Sequence, residues 1–149
     1  MAVPTGSGTE TVHSHLFADV DGDQTLILGV QHHIYTVLSV VVHCNALNAA
    51  TDEIVLNLIG YDSHAGSTGG TMTFLKQNIA VGQTFVWNDR FSFNGSEPSD
   101  FASGGLTVAA DQIALAAQGT STAQYLQAQV TNAGDDFDVL VTYIDNDFT

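Results

Sequence analysis

The chain has 149 residues, and 16 aspartates and glutamates against two basic side chains give it a formal net charge of −14 at pH 7. Lys76 and Arg90 are isolated cations that cannot form the basic patch required for phosphate binding, which excludes nucleic acid and anionic membranes as partners. A hydrophobic content of 44% predicts a packed core, and no run of residues reaches the ~18 apolar positions that span a membrane.

The carboxylates are scattered among apolar runs, and only Glu10, Glu53 and Glu97 are glutamates. Such a surface repels itself in dilute buffer, whereas in molar salt the Debye length falls to about 3 Å and the repulsion is screened. An Asp-rich, Lys-poor folded chain is therefore typical of a high-salt habitat, and its composition is similar to that of haloarchaeal proteins and their viruses. An ordinary acidic protein from a mesophile is the alternative.

Period-two alternation and β-branched or aromatic residues, interrupted by Gly, Asn, Asp and Ser clusters, predict about eight strands and little helix. Residues 1–10 are rich in Gly and Thr and lack the features of a signal peptide. We expect them to form an extended arm before a single domain of residues 11–149, and plain disorder of this segment is the alternative. In chain order, strands are predicted at 11–17, 25–28, 32–44, 53–61, 71–76, 83–93, 106–108 with 113–117, 123–130 and 137–144.

The longest predicted strand, 32–44, is apolar on its even-numbered positions and mixed on its odd-numbered ones. The mixed side suits a subunit contact as well as solvent, so this strand is expected to be covered on both sides. Cys44, the single cysteine, is predicted to be a small buried hydrophobic residue. The even face consists of Ile34, Leu38, Val40, Val42 and Cys44, interrupted by Thr36.

The predicted strand 83–93 carries a row of aromatic residues that can supply much of a core. Asp89 and Arg90 interrupt this row, which indicates a bend or bulge at that point. The row consists of Phe85, Trp87, Phe91 and Phe93.

The segments EIVLNLIGYDS, LKQNIAVGQTFVWNDRFSF, GGLTVAADQIALAAQG and FDVLVTYIDND follow one another in a rhythm that resembles small jelly-roll virion proteins of tailed viruses. The turn motif of that family is matched by Asn78, Ile79, Ala80, Gly82 and Thr84. A later phrase of the family is matched by Asp111, Gln112, Ile113, Leu115 and Ala117, with Ala110 where the family has glycine. The resemblance covers roughly residues 25–145. It implies an antiparallel β-sandwich of jelly-roll type and a capsid decoration (cement) protein or head- or tail-attached appendage, usually a trimer.

Asp19, Asp21 and Asp23, hereafter the loop aspartates, occupy positions 1, 3 and 5 of a tight Asp/Gly segment. Carboxylates at this spacing can converge on one hard cation, as at the start of an EF-hand loop, and they predict a calcium site. The match fails at Gln24, where the loop needs glycine, and at Val30, where it needs a bidentate acid. A solvated turn between two strands is the alternative. The acidic segment at 145–147 is a weaker version of the same pattern.

His13 and His15 share a strand face and could supply two ligands to zinc, although no third ligand can be identified. The alternative is a pair of surface or interfacial histidines. His43 and Cys44 are neighbours on a strand and point to opposite faces, so they cannot form a nucleophile–base pair. The sequence therefore contains no sharp catalytic motif.

These observations together predict a non-enzymatic virion protein, a trimer that decorates the capsid of a virus of a halophilic archaeon and contacts its major capsid protein. An appendage that binds a host receptor or glycan is the second hypothesis. Trp87, Tyr61 or Tyr125 at a loop rim would favour it. A secreted cellular β-module comes third, because no signal peptide is recognised, and an enzyme comes last.

Overall fold

The computed structural model describes residues 9–30, 33–60, 70–95 and 124–147, and within these ranges it contains nine strands and no helix. No helix in the described part of the chain is long and apolar enough to cross a membrane. The strands are β1 (Thr9–Val20), β2 (Gln24–Leu28), β3 (His33–Ala46), β4 (Ile54–Gly60), β5 (Gly70–Gln77), β6 (Thr84–Trp87), β7 (Phe91–Asn94), β8 (Tyr125–Val130) and β9 (Asp136–Asp147).

The strands form two antiparallel sheets. In the first sheet the order is β1-β9-β3-β6, and β7 also pairs with β3; in the second sheet the order is β2-β8-β4-β5. Since β6 and β7 pair with successive parts of β3, they behave as one interrupted strand. The eight-strand order that results is that of a double-sheet jelly roll. The predicted fold class, an all-β antiparallel sandwich of jelly-roll type, is therefore confirmed.

The interruption between β6 and β7 lies where the sequence predicts it. β6 ends at Trp87 and β7 begins at Phe91, so the link contains Asp89 and Arg90. Trp87 stands opposite Val40 and Phe91 opposite Val37. The aromatic row keeps its direction through the break, and all four aromatic residues belong to the core or pack against it.

The core lies between the sheets and is built from aliphatic and aromatic side chains. Each fully buried Val, Leu, Ile or Phe contributes roughly 1.5–3 kcal/mol relative to an exposed one. Cys44 is fully buried, as predicted, and burial raises the pKa of its thiol, with Asp135 and Asp136 adding to the effect. The core residues with no measurable exposure are Val37, Val40, Val42, Cys44, Ile54, Leu56, Leu126, Ala128, Phe137, Val139 and Val141.

The predicted apolar face of β3 is right for only half of the strand. Val40, Val42 and Cys44 are buried as expected, but in the N-terminal half of β3 the buried residues are Tyr35 and Val37, whereas Ile34 is 38% exposed. The register between β3 and β9 shifts between Val37 and Ser39, which leaves one extra residue on β3. An extra residue reverses the alternation of side chains, so the two halves of β3 bury opposite parities.

Parts of two predictions lie outside the described residues. They are residues 1–8 of the expected arm, and the strand pieces at 106–108 and 113–117 with the second family phrase. The first described strand, β1, begins at Thr9.

Candidate functional site

A groove of about 400 Å³ opens between the sheets at the β1 side of the sandwich. It forms because β1 has 12 residues whereas β2, the strand at the corresponding edge of the second sheet, has five. The inward-facing residues of β1 are consequently incompletely covered, and His13 is half-buried while His15 is exposed. We call this the histidine groove. It is lined by His13, His15, Phe17, Leu26, Ile27, Leu28, Val30, Tyr35, Tyr143 and Asp145.

The histidine groove holds a row of ring systems. The ring centroids of His13 and His15 are 5.7 Å apart, which confirms that the two histidines share a face. Tyr143 of β9 lies 5.2 Å from His13, and Tyr35 of β3 lies 6.0 Å from Tyr143. Among the described residues, neither histidine belongs to a group of three His, Cys, Asp or Glu ligands close enough to share a metal ion. The hypothesis that His13 and His15 bind zinc therefore has no third ligand among the described residues.

Tyr35 forms the buried end of the histidine groove. Its hydroxyl oxygen accepts the backbone N–H of Val30 at 3.1 Å. Burial raises the pKa of Tyr35 to about 12, and the negative charge of Asp145 adds to the effect. The same two causes, in the same order, raise the pKa of Tyr143. Both phenols are therefore neutral at physiological pH and act as hydrogen-bonding groups, not as bases.

His33 and the end of β9 form a hydrogen-bonded pair beside the histidine groove. Nδ1 of His33 donates to Oδ1 of Asp145 at 2.6 Å, and Nε2 lies 3.7 Å from Oδ1 of Asp147. The pairing follows from the register, in which His33 is opposite Asp147 and Tyr35 is opposite Asp145. Asp145 and Asp147, which the sequence suggested as a weaker candidate for cation binding, therefore lie next to the imidazole of His33.

The loop aspartates are divided between a strand end and a turn. Asp19 lies in β1 at a register shift between Phe17 and Val20, and its φ of 56° is in the left-handed region that asparagine and aspartate tolerate. Asp21 and Asp23 follow in the connection to β2. Asp19 therefore does not lie in the same turn as Asp21 and Asp23, because its backbone belongs to a bulged strand.

Asp19 meets two other aspartates, Asp136 and Asp138 of β9. Ligand oxygens of the three carboxylates lie within 4.8 Å of one another, and the backbone N–H of Asp19 donates to Oδ1 of Asp138 at 3.1 Å. Neither Asp21 nor Asp23 belongs to this acidic cluster. The three carboxylates repel one another, so salt or a hard cation lowers the energy of the arrangement. Similar clusters also occur on acidic surfaces without any ion.

Trp87 belongs to the edge of the core and not to a loop rim. Its ring lies 5.4 Å from that of Phe74, and both line a second, apolar groove of about 570 Å³ with Met72 and Phe91. The indole Nε1 is buried without a hydrogen-bond partner among the described residues. Tyr61 lies outside the described residues.

His43 and Cys44 do not form a catalytic pair. Nδ1 of His43 lies 2.8 Å from the hydroxyl oxygen of Thr84 on the outer side of the first sheet. Cys44 points into the core, so its thiol is on the other side of the sheet. The prediction made from the alternation of the strand is therefore confirmed.

Comparison with known proteins gave only distant structural similarity. No family model and no curated protein sequence matches the chain. A pilus protein of Bacillus endospore appendages is 7% identical, with a TM-score of 0.41 and coverage of 100% of this chain and 96% of the other. A capsid protein of Helicobacter pylori bacteriophage KHP30 is 13% identical, with a TM-score of 0.43 and coverage of 93% and 89%. A protein of infectious bursal disease virus, Gx strain, is 8% identical, with a TM-score of 0.42 and coverage of 94% and 29%. Similarity at this level is too distant to assign a function.

Proposed function

We propose that this chain is a non-enzymatic structural protein of a virion that decorates the capsid and stabilises its lattice as a cement protein. The observation that carries the proposal is the jelly-roll strand order around an interior filled by apolar side chains. Jelly rolls of this kind serve as viral capsid domains, lectins and cupins. Since fold alone does not decide between them, the sequence resemblance to virion proteins favours the first.

The surface charge fits a particle that is assembled in concentrated salt. A chain with 16 acidic and two basic residues repels its own copies and other acidic proteins in dilute buffer. At molar salt this repulsion acts over only about 3 Å. Tight packing of such chains on a capsid therefore requires a high-salt environment, which supports a virus of a halophilic archaeon.

The edges of the two sheets offer sites for docking. Among the described strands, β1, β2 and β5 each pair with a single neighbour, and β6 and β7 pair only with β3. Unpaired strand edges expose backbone N–H and C=O groups, which invite another strand. In the proposed homotrimer, or on the major capsid protein, such edges are covered. Residues 1–8, the part of the expected arm that precedes β1, are proposed to add a strand to a neighbouring subunit, a contact that relies mainly on backbone hydrogen bonds.

The test is made on virus particles. Particles purified in high salt are analysed by mass spectrometry and by cryo-electron microscopy, with and without the gene for this chain. We expect regularly repeated density on the capsid that is lost with the gene, and a lower resistance of the particles to heating and osmotic shock. Particles that never contain the chain would refute the proposal.

An appendage that binds a host glycan is the second candidate, and the histidine groove is the observation that favours it. Small-molecule sites combine ring surfaces with a few placed polar groups, as His15, Tyr143 and Asp145 do here. NMR spectra of the imidazole protons, recorded with oligosaccharides released from host cells, test this function. Shifts confined to His13 and His15 that disappear in a His15→Ala variant would support it. Unchanged spectra would eliminate it.

A further inference from the structure

Among the described residues, the outer side of the first sheet presents a continuous surface without any charged side chain. The register aligns its outward-facing residues in three rows across the strands. One row is wholly apolar, and its two ends, Leu16 and Val86, are 65% and 54% exposed. We call this surface the uncharged face. Its rows are Leu16, Leu140, Val41 and Val86; Ser14, Thr142 and Ser39; and Val12, Ile144, Thr36 and Ser92.

In the part of the chain that the structure describes, charged residues border the uncharged face on three sides without entering it. The next row toward one end of the strands contains Glu10, and the next row toward the other end contains Asp138. Asp89 and Arg90 lie in the link between β6 and β7 at one edge. The chain carries 16 carboxylates, so an area of this size without any of them is notable. In this area apolar and hydroxyl side chains are exposed together.

We propose that the uncharged face is the surface through which copies of this chain associate. Two molecules of net charge −14 repel each other wherever their carboxylates meet, and the two basic residues of each copy cannot compensate. The uncharged face brings no carboxylate into the contact. A basic partner would instead be attracted to the acidic remainder of the surface, so the occupant that best fits a neutral face is another acidic chain, here a second copy.

The size of the uncharged face predicts how strong the contact is. Its three rows extend about 20 Å along the strands and about 19 Å across four strands, which gives a footprint of about 400 Å² per copy. A standard interface takes about 800 Å² from each partner. The contact is therefore too small to withstand the repulsion in dilute buffer, and we expect association to increase as salt shortens the Debye length from about 10 Å to about 3 Å.

The experiment measures the mass of the full chain by sedimentation velocity between about 0.1 M and about 3 M NaCl, the range over which screening becomes complete. The variants Leu16→Asp and Val86→Asp each place a carboxylate at one end of the apolar row. Val81→Asp is the matched control, because Val81 is 58% exposed in the turn before β6 and outside the uncharged face. All three substitutions change the net charge equally, so they differ only in position.

We expect the wild type and Val81→Asp to associate in high salt, and Leu16→Asp and Val86→Asp to have dissociation constants at least about tenfold higher, a difference of about 1.4 kcal/mol. Circular dichroism melts show which variants are folded. If only one of Leu16→Asp and Val86→Asp is folded, the dissociation constant of that variant alone tests the proposal. Monomers at every salt concentration, or equal association of all three variants, would overturn the inference. The result concerns the purified chain, so it is independent of the role in a virion.

Discussion

Tyr35 gives the sharpest test of the geometry of the histidine groove. Its side chain is 3% exposed, and its hydroxyl group accepts a hydrogen bond from Val30. Burial, reinforced by Asp145, raises its pKa from 10.0 to about 12. The folded protein therefore holds the phenol proton more tightly than the unfolded chain does, and the stability that this supplies is present below pH 10 and lost as the pH rises toward 12.

The magnitude follows from the shift. Two pKa units correspond to at most about 2.7 kcal/mol, and between about pH 9 and pH 11 Tyr35 alone is expected to lower the free energy of unfolding by about 1.3 kcal/mol. Replacing Tyr35 with Phe removes this pH dependence. The variant also loses the hydrogen bond to Val30, so near pH 8 it is less stable than the wild type by about 1 kcal/mol. The two stability curves should thus converge as the pH rises and cross near pH 11, where the loss of about 1.3 kcal/mol exceeds the initial difference of about 1 kcal/mol.

Urea unfolding of wild type and Tyr35→Phe at a series of alkaline pH values measures this convergence. Absorbance of tyrosinate in the folded protein provides a second readout. Burial raises the pKa values of both Tyr35 and Tyr143, so both should titrate late, and the part of the late signal that belongs to Tyr35 should vanish in the variant. Asp145→Asn tests the contribution of the negative charge of Asp145. This variant should lower the pKa of Tyr35, but not to 10, because the larger effect of burial remains. A constant stability difference between wild type and Tyr35→Phe across this range would refute the reasoning.

Three further predictions concern the ends and the centre of the sandwich. The amide of Asn132 and the N–H of Ala49 lower the pKa of Asp52 from its ordinary value of 3.8. The stability that this supplies is present above pH 3.8 and is lost as the pH falls through the lower pKa of the folded state, so thermal melts of Asp52→Asn should show a weaker acid dependence. Leu126→Ala, at a position with no exposure, should lower the free energy of unfolding in urea by about 2–5 kcal/mol. If the loop aspartates bind calcium, millimolar calcium should raise the melting temperature more than another salt of equal ionic strength does. If this increase is lost in Asp19→Asn but not in Asp21→Asn, the ion is bound by the acidic cluster.

Local patterns in the sequence were sufficient to predict the fold class and several of its details. Period-two alternation identifies strands because successive side chains of a strand point to opposite faces. The break before Phe91 was predictable because Asp89 and Arg90 interrupt an aromatic row within a few residues of it. The opposite orientations of His43 and Cys44 follow from the same alternation. In each case the signal lies within one strand.

Features that depend on strand pairing could not be predicted in this way. The extra residue in β3 becomes visible only when β9 is placed beside it, and it makes Tyr35 a buried residue instead of Ile34. Asp19 meets Asp138, which is 119 positions away in the chain. No spacing rule within a loop could have connected them, because the contact is made by the pairing of β1 with β9.

The uncharged face shows how the two kinds of information combine. The sequence indicates that the strand 32–44 is apolar on one side and mixed on the other, which suggests a subunit contact but leaves its extent open. The register then adds Leu140 and Ile144 of β9 and Val86 of β6 to the same surface. The charge pattern explains why these residues are important: a surface of an acidic protein that contains no carboxylate is the part on which two copies can meet without bringing carboxylates into the contact. High acidity and the proposed self-association in salt are therefore compatible in this fold, because carboxylates border the uncharged face but do not lie within it.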